Sequence, residues 1–211
     1  MNTLSQSQAI TETIGHLAAR WEQPDRSILR AVFPLLAAGD PVTVERIAKV
    51  TGAEAGAIET ALQLGRVERN TKGWVTELFG ITTAPTTHRI EINGMVLYSC
   101  CALVAQMVPL LVDQPAHIET VDPISRRLVR IALTPDKLTS VDPPEAWGTF
   151  VRTELQALQK NVGEAFCQHI HNFISRETAE QYAAQDKRRY ILNMETFHDV
   201  ARQLTRAVWG D

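Results

Sequence analysis

The 211-residue chain is short of cysteine and of net charge, and each shortage removes a class of protein. It has three cysteines, an odd number without framework spacing, so a disulfide scaffold is excluded and the thiols are expected to be reduced, as in the cytosol. The formal net charge of −3 excludes strong general attraction to nucleic acid or an anionic membrane surface. No apolar run has the length of a membrane span: the longest candidate, Met95 to Val112, is too short and too interrupted. The N-terminus has no basic-plus-apolar signal pattern, and a cytoplasmic location is expected. Neither internal repeats nor low-complexity segments occur. Hydrophobic residues at 45% and charged residues at 21% are ordinary for a globular protein, and this length buries a real core.

The few cysteines are concentrated. Cys100 and Cys101 open an apolar helix that runs on to Val108-Pro109-Leu110-Leu111, and Cys167 lies in Phe166-Cys167-Gln168-His169-Ile170-His171. The alternation from Val162 to Ile174 predicts a buried strand, with Cys167, His169, His171 and Phe173 on one face. Packing the helix start against that face would bring two or three sulfurs together in an apolar pocket. Soft thiolates select soft metals. A cysteine at a helix N-terminus also feels the positive end of the backbone dipole, which lowers its pKa from ~8.5. Cys101 fits that description better than Cys167. Cys167-x-His169-x-His171 with Cys100 or Cys101 offers an alternative zinc or copper site, although zinc sites normally use spaced pairs such as Cys-x-x-Cys. The plain reading is that the cysteines are small buried apolar residues and that His169 and His171 are core histidines bonded to backbone.

Upstream, Ile10, Ile14, Leu17 and Trp21 mark an amphipathic helix over 5–21, ended by Gln23-Pro24-Asp25. A second helix from Ser27 buries Ile28, Val32, Leu35 and Leu36, with a kink at Pro34. Thr43 caps a third helix, Glu54 to Leu64 forms a fourth, and a basic hairpin carries Arg66, Arg69 and Lys72. This is a winged helix-turn-helix pattern. Its recognition helix, Glu54-Ala55-Gly56-Ala57-Ile58-Glu59, has acids and alanines where phosphate and base contacts need arginine, lysine or asparagine, so packing rather than DNA binding is expected.

Further on, Thr87–Ile92 and Met95–Tyr98 form a hairpin about Asn93-Gly94, and a second hairpin joins His117–Thr120 to Leu128–Leu133. Residues 135–144 read as a connection, Trp147–Val151 as a strand, Thr178–Asp186 as a helix, Tyr190–Leu192 as a strand and Glu195–Val208 as a closing helix. The expected class is α+β: a helical, winged-helix-like module over 1–80 packed on a sheet core with helices over 81–211.

Leu97-Tyr98-x-x-Cys101-Ala102-Leu103, Pro109-x-Leu111 and Phe166-Cys167-x-His169-x-His171-x-Phe173 resemble the signature of the alkylmercury (organomercurial) lyases. Gly80-Ile81-Thr82, Glu91-Ile92, Leu133-Thr134-Pro135, Val141-Asp142-Pro143 and Thr178-Ala179-Glu180 fall in the family's order, so the resemblance covers roughly residues 26–206. It implies cytosolic mercury detoxification by protonolysis of a carbon–mercury bond, with Cys101 and Cys167 as catalytic thiols and mercury ligands. No organic cofactor is implied. Mercury is substrate and product, passed on to small thiols or a mercury(II) reductase. Two positions depart from the family: Val104 stands where it carries an aspartate, and the place of a non-catalytic cysteine falls near Asp122. Cys100 and Glu164 are candidate substitutes for the missing acid. Two other classes fit the same residues: a thiol-based soft-metal binding protein on the lyase scaffold, and a metal-responsive winged-helix regulator.

Overall fold

The computed structural model describes residues 5–20, 25–65 and 67–210. Trp21, the Gln23-Pro24 break and Arg66 of the hairpin lie outside the described residues. Helix α1 (Gln6–Ala19) starts at a reciprocal cap: Ser5 Oγ accepts from Gln8 N–H, and Gln8 Oε1 accepts from Ser5 N–H. It buries Ile10, Ile14 and Leu17. The helix expected from Ser27 is two, α2 (Arg26–Arg30) and α3 (Val32–Ala37), meeting at Ala31. Pro34 explains the division, because it has no N–H to offer the carbonyl of Arg30. Thr43 caps α4 (Val44–Thr51), and Gly52, at φ 72°, ends it. Helix α5 (Ala55–Leu64) follows, with Glu54 at its N-cap.

The main sheet has eight strands in the order β1-β2-β3-β5-β4-β6-β7-β8. Strands β1 (Glu68–Arg69), β2 (Val75–Leu78) and β3 (Ile81–Thr82) lead into the hairpin of β4 (His88–Ile92) and β5 (Met95–Ser99). Asn93 at φ 51° and Gly94 at φ 74° give the two left-handed residues that a tight, right-twisting hairpin needs. Strands β6 (Ala116–Val121) and β7 (Leu128–Leu133) pair as expected. The stretch read as a connection contains an edge strand, β8 (Leu138–Asp142), paired with β7. Its apolar residues, Leu138 and Val141, are three apart and show no period-two alternation, so only the neighbouring strand defines it. A second sheet orders β10 (Asn172–Phe173), β9 (Trp147–Val151) and β11 (Arg189–Asn193).

Helix α6 (Ala102–Val112) is the centre of the molecule. Apart from Gln106, which meets His198, it is apolar all round, and it is buried from Ala102 to Pro109, as such a helix must be. Strands β4, β5 and β6 pack on it, as do α3 and the long C-terminal helix α10 (Met194–Trp209). One continuous core joins α1, α3, α6, α10 and both sheets.

The expected strand from Val162 to Ile174 is not there. The chain makes two short helices, α7 (Leu155–Lys160) and α8 (Val162–Ala165), a 3₁₀ turn at Cys167–His169, and then the two-residue β10 before α9 (Arg176–Ala183). Backbone partners explain it: the carbonyl of His169 accepts from Thr149 Oγ1 at 2.8 Å and that of Ile170 from Ala102 N–H at 3.2 Å. Up to Ile170 the polar groups of this segment are satisfied by local helical bonds and by single partners in other elements, and a ladder forms only at β10.

Asp122, near the place of the family's extra cysteine, is a fully buried carboxylate. It accepts from the N–H groups of Ile124 and Ser125 in the β6–β7 turn and from that of Ile174, so it ties the turn to the segment after Cys167. Burial pushes its carboxyl up, but those three donors outweigh it and hold the pKa below the usual range. Asp122→Ala should cost about 2–4 kcal/mol, because buried N–H groups lose their acceptor. The contribution is present above the unfolded carboxylate pKa and lost as pH falls through the lower folded value, so thermal melts of wild type and variant should converge in acid.

Candidate functional site

Strand β5 delivers the first two thiols. Cys100 N–H donates to the carbonyl of Gly80 at 2.7 Å, and Ser99 Oγ donates to that of Cys101 at 2.9 Å. Cys101, extended at φ −158°, is the N-cap of α6, where the sequence places it. The bond from Ala102 N–H to Ile170 fastens the head of α6 to the turn that carries Cys167. The three sulfurs lie within 4.8 Å of one another, and Cys100 Sγ is 3.4 Å from Cys167 Sγ. Cys101 is fully buried, Cys167 half-buried and Cys100 exposed.

Their electrostatics differ. Burial pushes the Cys101 thiol up, but hydrogen bonds from Cys100 and Cys167 and the nearby Val104 amide outweigh it and hold the pKa well below the ordinary thiol range. The Val104 amide does this without closing a capping hydrogen bond. Cys100 is pushed up by its hydrogen bonds to the other two sulfurs and by burial of its sulfur. Cys167 gains from its bond with Cys100, but proximity to Cys101 and burial raise it overall. The cluster therefore favours ionisation at Cys101 over the other two thiols.

A cavity of about 220 Å³ opens beside the cluster. Cys100 and Cys167 line it, with apolar walls from Phe79, Val104, Phe166 and Leu204. Cavities of ~150 Å³ admit benzene, so a phenyl group fits this one. Phe79 at φ 56° and Gly80 at φ 75° form the β2–β3 turn at its edge. A bulky residue in the left-handed region is an outlier, here packed edge-on to Trp209 with ring centroids 5.3 Å apart. A β-carbon on Gly80 would run into Cys100 Sγ. Gly80→Ala should cost about 1–2 kcal/mol for the left-handed backbone alone and displace the Cys100 sulfur, read as a lower Tm and faster alkylation of Cys100.

The remaining residues singled out in the sequence go elsewhere. Because Cys167–His169 is a turn, Cys167, His169 and His171 do not share a strand face. His169 Nδ1 accepts from Arg189 Nη2 at 3.0 Å. His171 Nε2 donates to the carbonyl of Gln168 at 2.9 Å, and its ring stacks on His88 with centroids 6.2 Å apart. Among the described residues, the group of three or more His, Cys, Asp or Glu side chains close enough to share one ion consists of the cysteines alone. Glu164 is exposed on α8 and does not line the cavity, since a helix rather than a bulged strand carries it. Val104 does line it, on the face of α6 that Cys101 starts. His88 is what the sequence reading missed: it is 2% exposed and its Nδ1 lacks a partner. Burial drives its pKa down to about 4, so it is neutral beside the thiolate. It sits in an ordinary alternating strand, and nothing local distinguishes it.

A thiol trio at a buried helix N-terminus, facing an apolar cavity in an α+β chain, defines a soft-metal thiolate protein with room for an organic group. The chain belongs to the alkylmercury lyase family: the family's sequence profile matches residues 81–206. It is 34% identical to an alkylmercury lyase of Staphylococcus epidermidis over 178 residues, covering 84% of this chain and 81% of that one. It is 31% identical to the alkylmercury lyase of Streptomyces lividans over 180 residues, covering 85% and 82%. In three dimensions it matches the crystal structure of the mercury-bound form of MerB2, with a TM-score of 0.75 at 18% identity over 94% of this chain and 99% of that one. That likeness supports the α+β fold. Among the described residues no helix is long and apolar enough to cross a membrane.

Proposed function

We propose that this chain is an organomercurial lyase, which cleaves a carbon–mercury bond by protonolysis and serves mercury detoxification. The observation that carries the reading is the thiol trio beside a cavity of phenyl size, where the surroundings lower the Cys101 pKa and raise those of Cys100 and Cys167. The Cys101 thiolate captures the mercury of R–Hg–X and X⁻ leaves. Cys167 then joins the metal as its S–H bond breaks, while the carbon–mercury bond breaks and the electron pair on carbon takes a proton. The products are R–H and mercury(II) held by Cys101 and Cys167. Cys100, paired with Cys167 through its sulfur, is auxiliary. Mercury(II) is satisfied by two sulfurs, and thiolate donation polarises the bond to carbon. The chemistry calls for no organic cofactor. A cytoplasmic setting keeps the thiols reduced, and small thiols or a mercury(II) reductase accept the product.

Incubating the protein with phenylmercury and excess small thiol should release benzene. Mercury binding without benzene would favour the second reading, a soft-metal binding protein, which rests on Val104 occupying the place of the family's aspartate. In the lyase reading the N-terminal helices serve as a packing module on the sheet core, with α4, α5 and the β1–β2 hairpin in winged-helix order. Arg69 of the hairpin is paired with Glu59 of α5 at 2.6 Å, which takes a cation away from any phosphate contact. No sequence-selective DNA complex is expected at physiological salt. A sub-micromolar, salt-dependent shift on one sequence would restore the regulator reading.

A further inference from the structure

With Val104 in the acid's place, the thiol proton has no carrier on α6. The cavity wall has one elsewhere. Among the described residues lining it, Glu77 is the only carboxylate, and it shares that wall with Cys100, Val104 and Cys167. Its position follows from sheet register. Glu77 pairs with Thr82, and Thr82 pairs with Tyr98, so the three form one row across β2, β3 and β5. Side chains in such a row point to one face, and Cys100, two residues beyond Tyr98, continues that side of the chain. The row spans two strand spacings, roughly 10 Å of backbone, and Glu77 and Cys100, on its two sides, both line the cavity.

Resting on the lyase reading, we propose that Glu77 is the catalytic proton carrier of this chain, doing from β2 what the family's aspartate does from the first turn of the cysteine helix. The Glu77 carboxylate takes the proton released as Cys167 S–H gives way to S–Hg. The resulting carboxylic acid then donates it to carbon as the carbon–mercury bond breaks. The proton lost by the thiol is the one gained by the hydrocarbon, and Glu77 ends as it began. The environment suits the task. Burial and the carboxylate of Glu68, directly across in β1, both raise the Glu77 pKa. That narrows the gap to the thiol and eases transfer in both directions. The other charged or titratable groups facing the cavity are Arg20, at the end of α1, and the thiols of Cys100 and Cys167.

The test is single-turnover benzene release from phenylmercury, followed against pH, with a mercury(II) titration on each preparation. The wild-type rate should fall on the acid side as pH drops through the raised pKa of Glu77, because a protonated carboxyl cannot accept the thiol proton. Glu77→Gln should lose ~10²–10⁴-fold in rate and lose that acid limb while still binding mercury, and Glu77→Asp should recover part of the rate. Glu68→Gln, a change at an exposed position, should keep the reaction and move the limb to lower pH. An unmoved limb in Glu68→Gln, or a Glu77→Gln protein within twofold of wild type and with the same profile, overturns the role of Glu77 and leaves the lyase reading intact. A wild type that binds phenylmercury and releases no benzene overturns both.

Discussion

Cys101→Ser should abolish benzene release from phenylmercury, by several orders of magnitude, and remove the thiolate absorbance of the folded protein at neutral pH. Losses of that size follow when an activated nucleophile is deleted. Serine is a poor replacement because a hydroxyl is neither ionised near pH 7 nor soft. The structure makes the loss specific to this thiol. Cys101 is the sulfur that two neighbouring thiols stabilise as the anion, at the buried N-terminal end of α6. Cys167→Ser should also stop turnover, but it leaves Cys101 able to capture phenylmercury, giving a stable adduct visible by intact mass. Cys100→Ser should keep both binding and turnover within about tenfold, since it removes a hydrogen bond to the anion and no ligand. If Cys100→Ser abolishes mercury binding while Cys101→Ser leaves it intact, the pair has been assigned to the wrong adjacent cysteine. The cavity lining makes that a real contest: Cys100, not Cys101, faces the cavity directly.

What could be read from the sequence divides by how local its cause is. The hairpin about Asn93-Gly94 and the head of α6 at Cys101 depend on a few adjacent residues, and both are where the sequence places them. The Cys167 segment was misread because its alternation of polar and apolar residues has two causes. His169 is turned toward Arg189 and His171 toward His88 by a 3₁₀ turn, with the carbonyls of His169 and Ile170 taken by Thr149 and Ala102. Period-two patterning records which side chains are buried, not which element buries them. The same holds for the cavity. Its wall draws on α1, β2, α6, α8 and α10, and no window of sequence contains Glu77 together with Cys167. Position 104 was legible as an oddity, but the group that compensates for it became visible only when the chain had been folded.

That compensation makes the outcome at Val104 depend on Glu77. Val104→Asp restores the family's acid at the third position after Cys101, on the same helical face. In the otherwise wild-type chain it should raise benzene release only modestly, because a carrier already lines the cavity. In the Glu77→Gln background the same substitution should recover much of the ~10²–10⁴-fold deficit, since either carboxylate can carry the proton. The two changes are therefore expected to be strongly non-additive, as replacements for one function should be. Stability opposes the gain. Val104 is 5% exposed, and a carboxylate there replaces methyl groups in an apolar wall. An unpaired buried carboxylate costs a few kcal/mol or takes up a proton instead, so its pKa should rise. The melting temperature of Val104→Asp should thus fall, and fall more at high pH than at low pH, because the raised folded pKa makes the protonated form the one the fold tolerates. Single-turnover release and thermal melts of the four proteins, wild type, both single variants and the double variant, decide the matter. A double variant no faster than Glu77→Gln, though folded and mercury-binding, would mean that the proton reaches carbon without a carboxylate from either wall. The protonated thiol of Cys100 would then be the next group to remove.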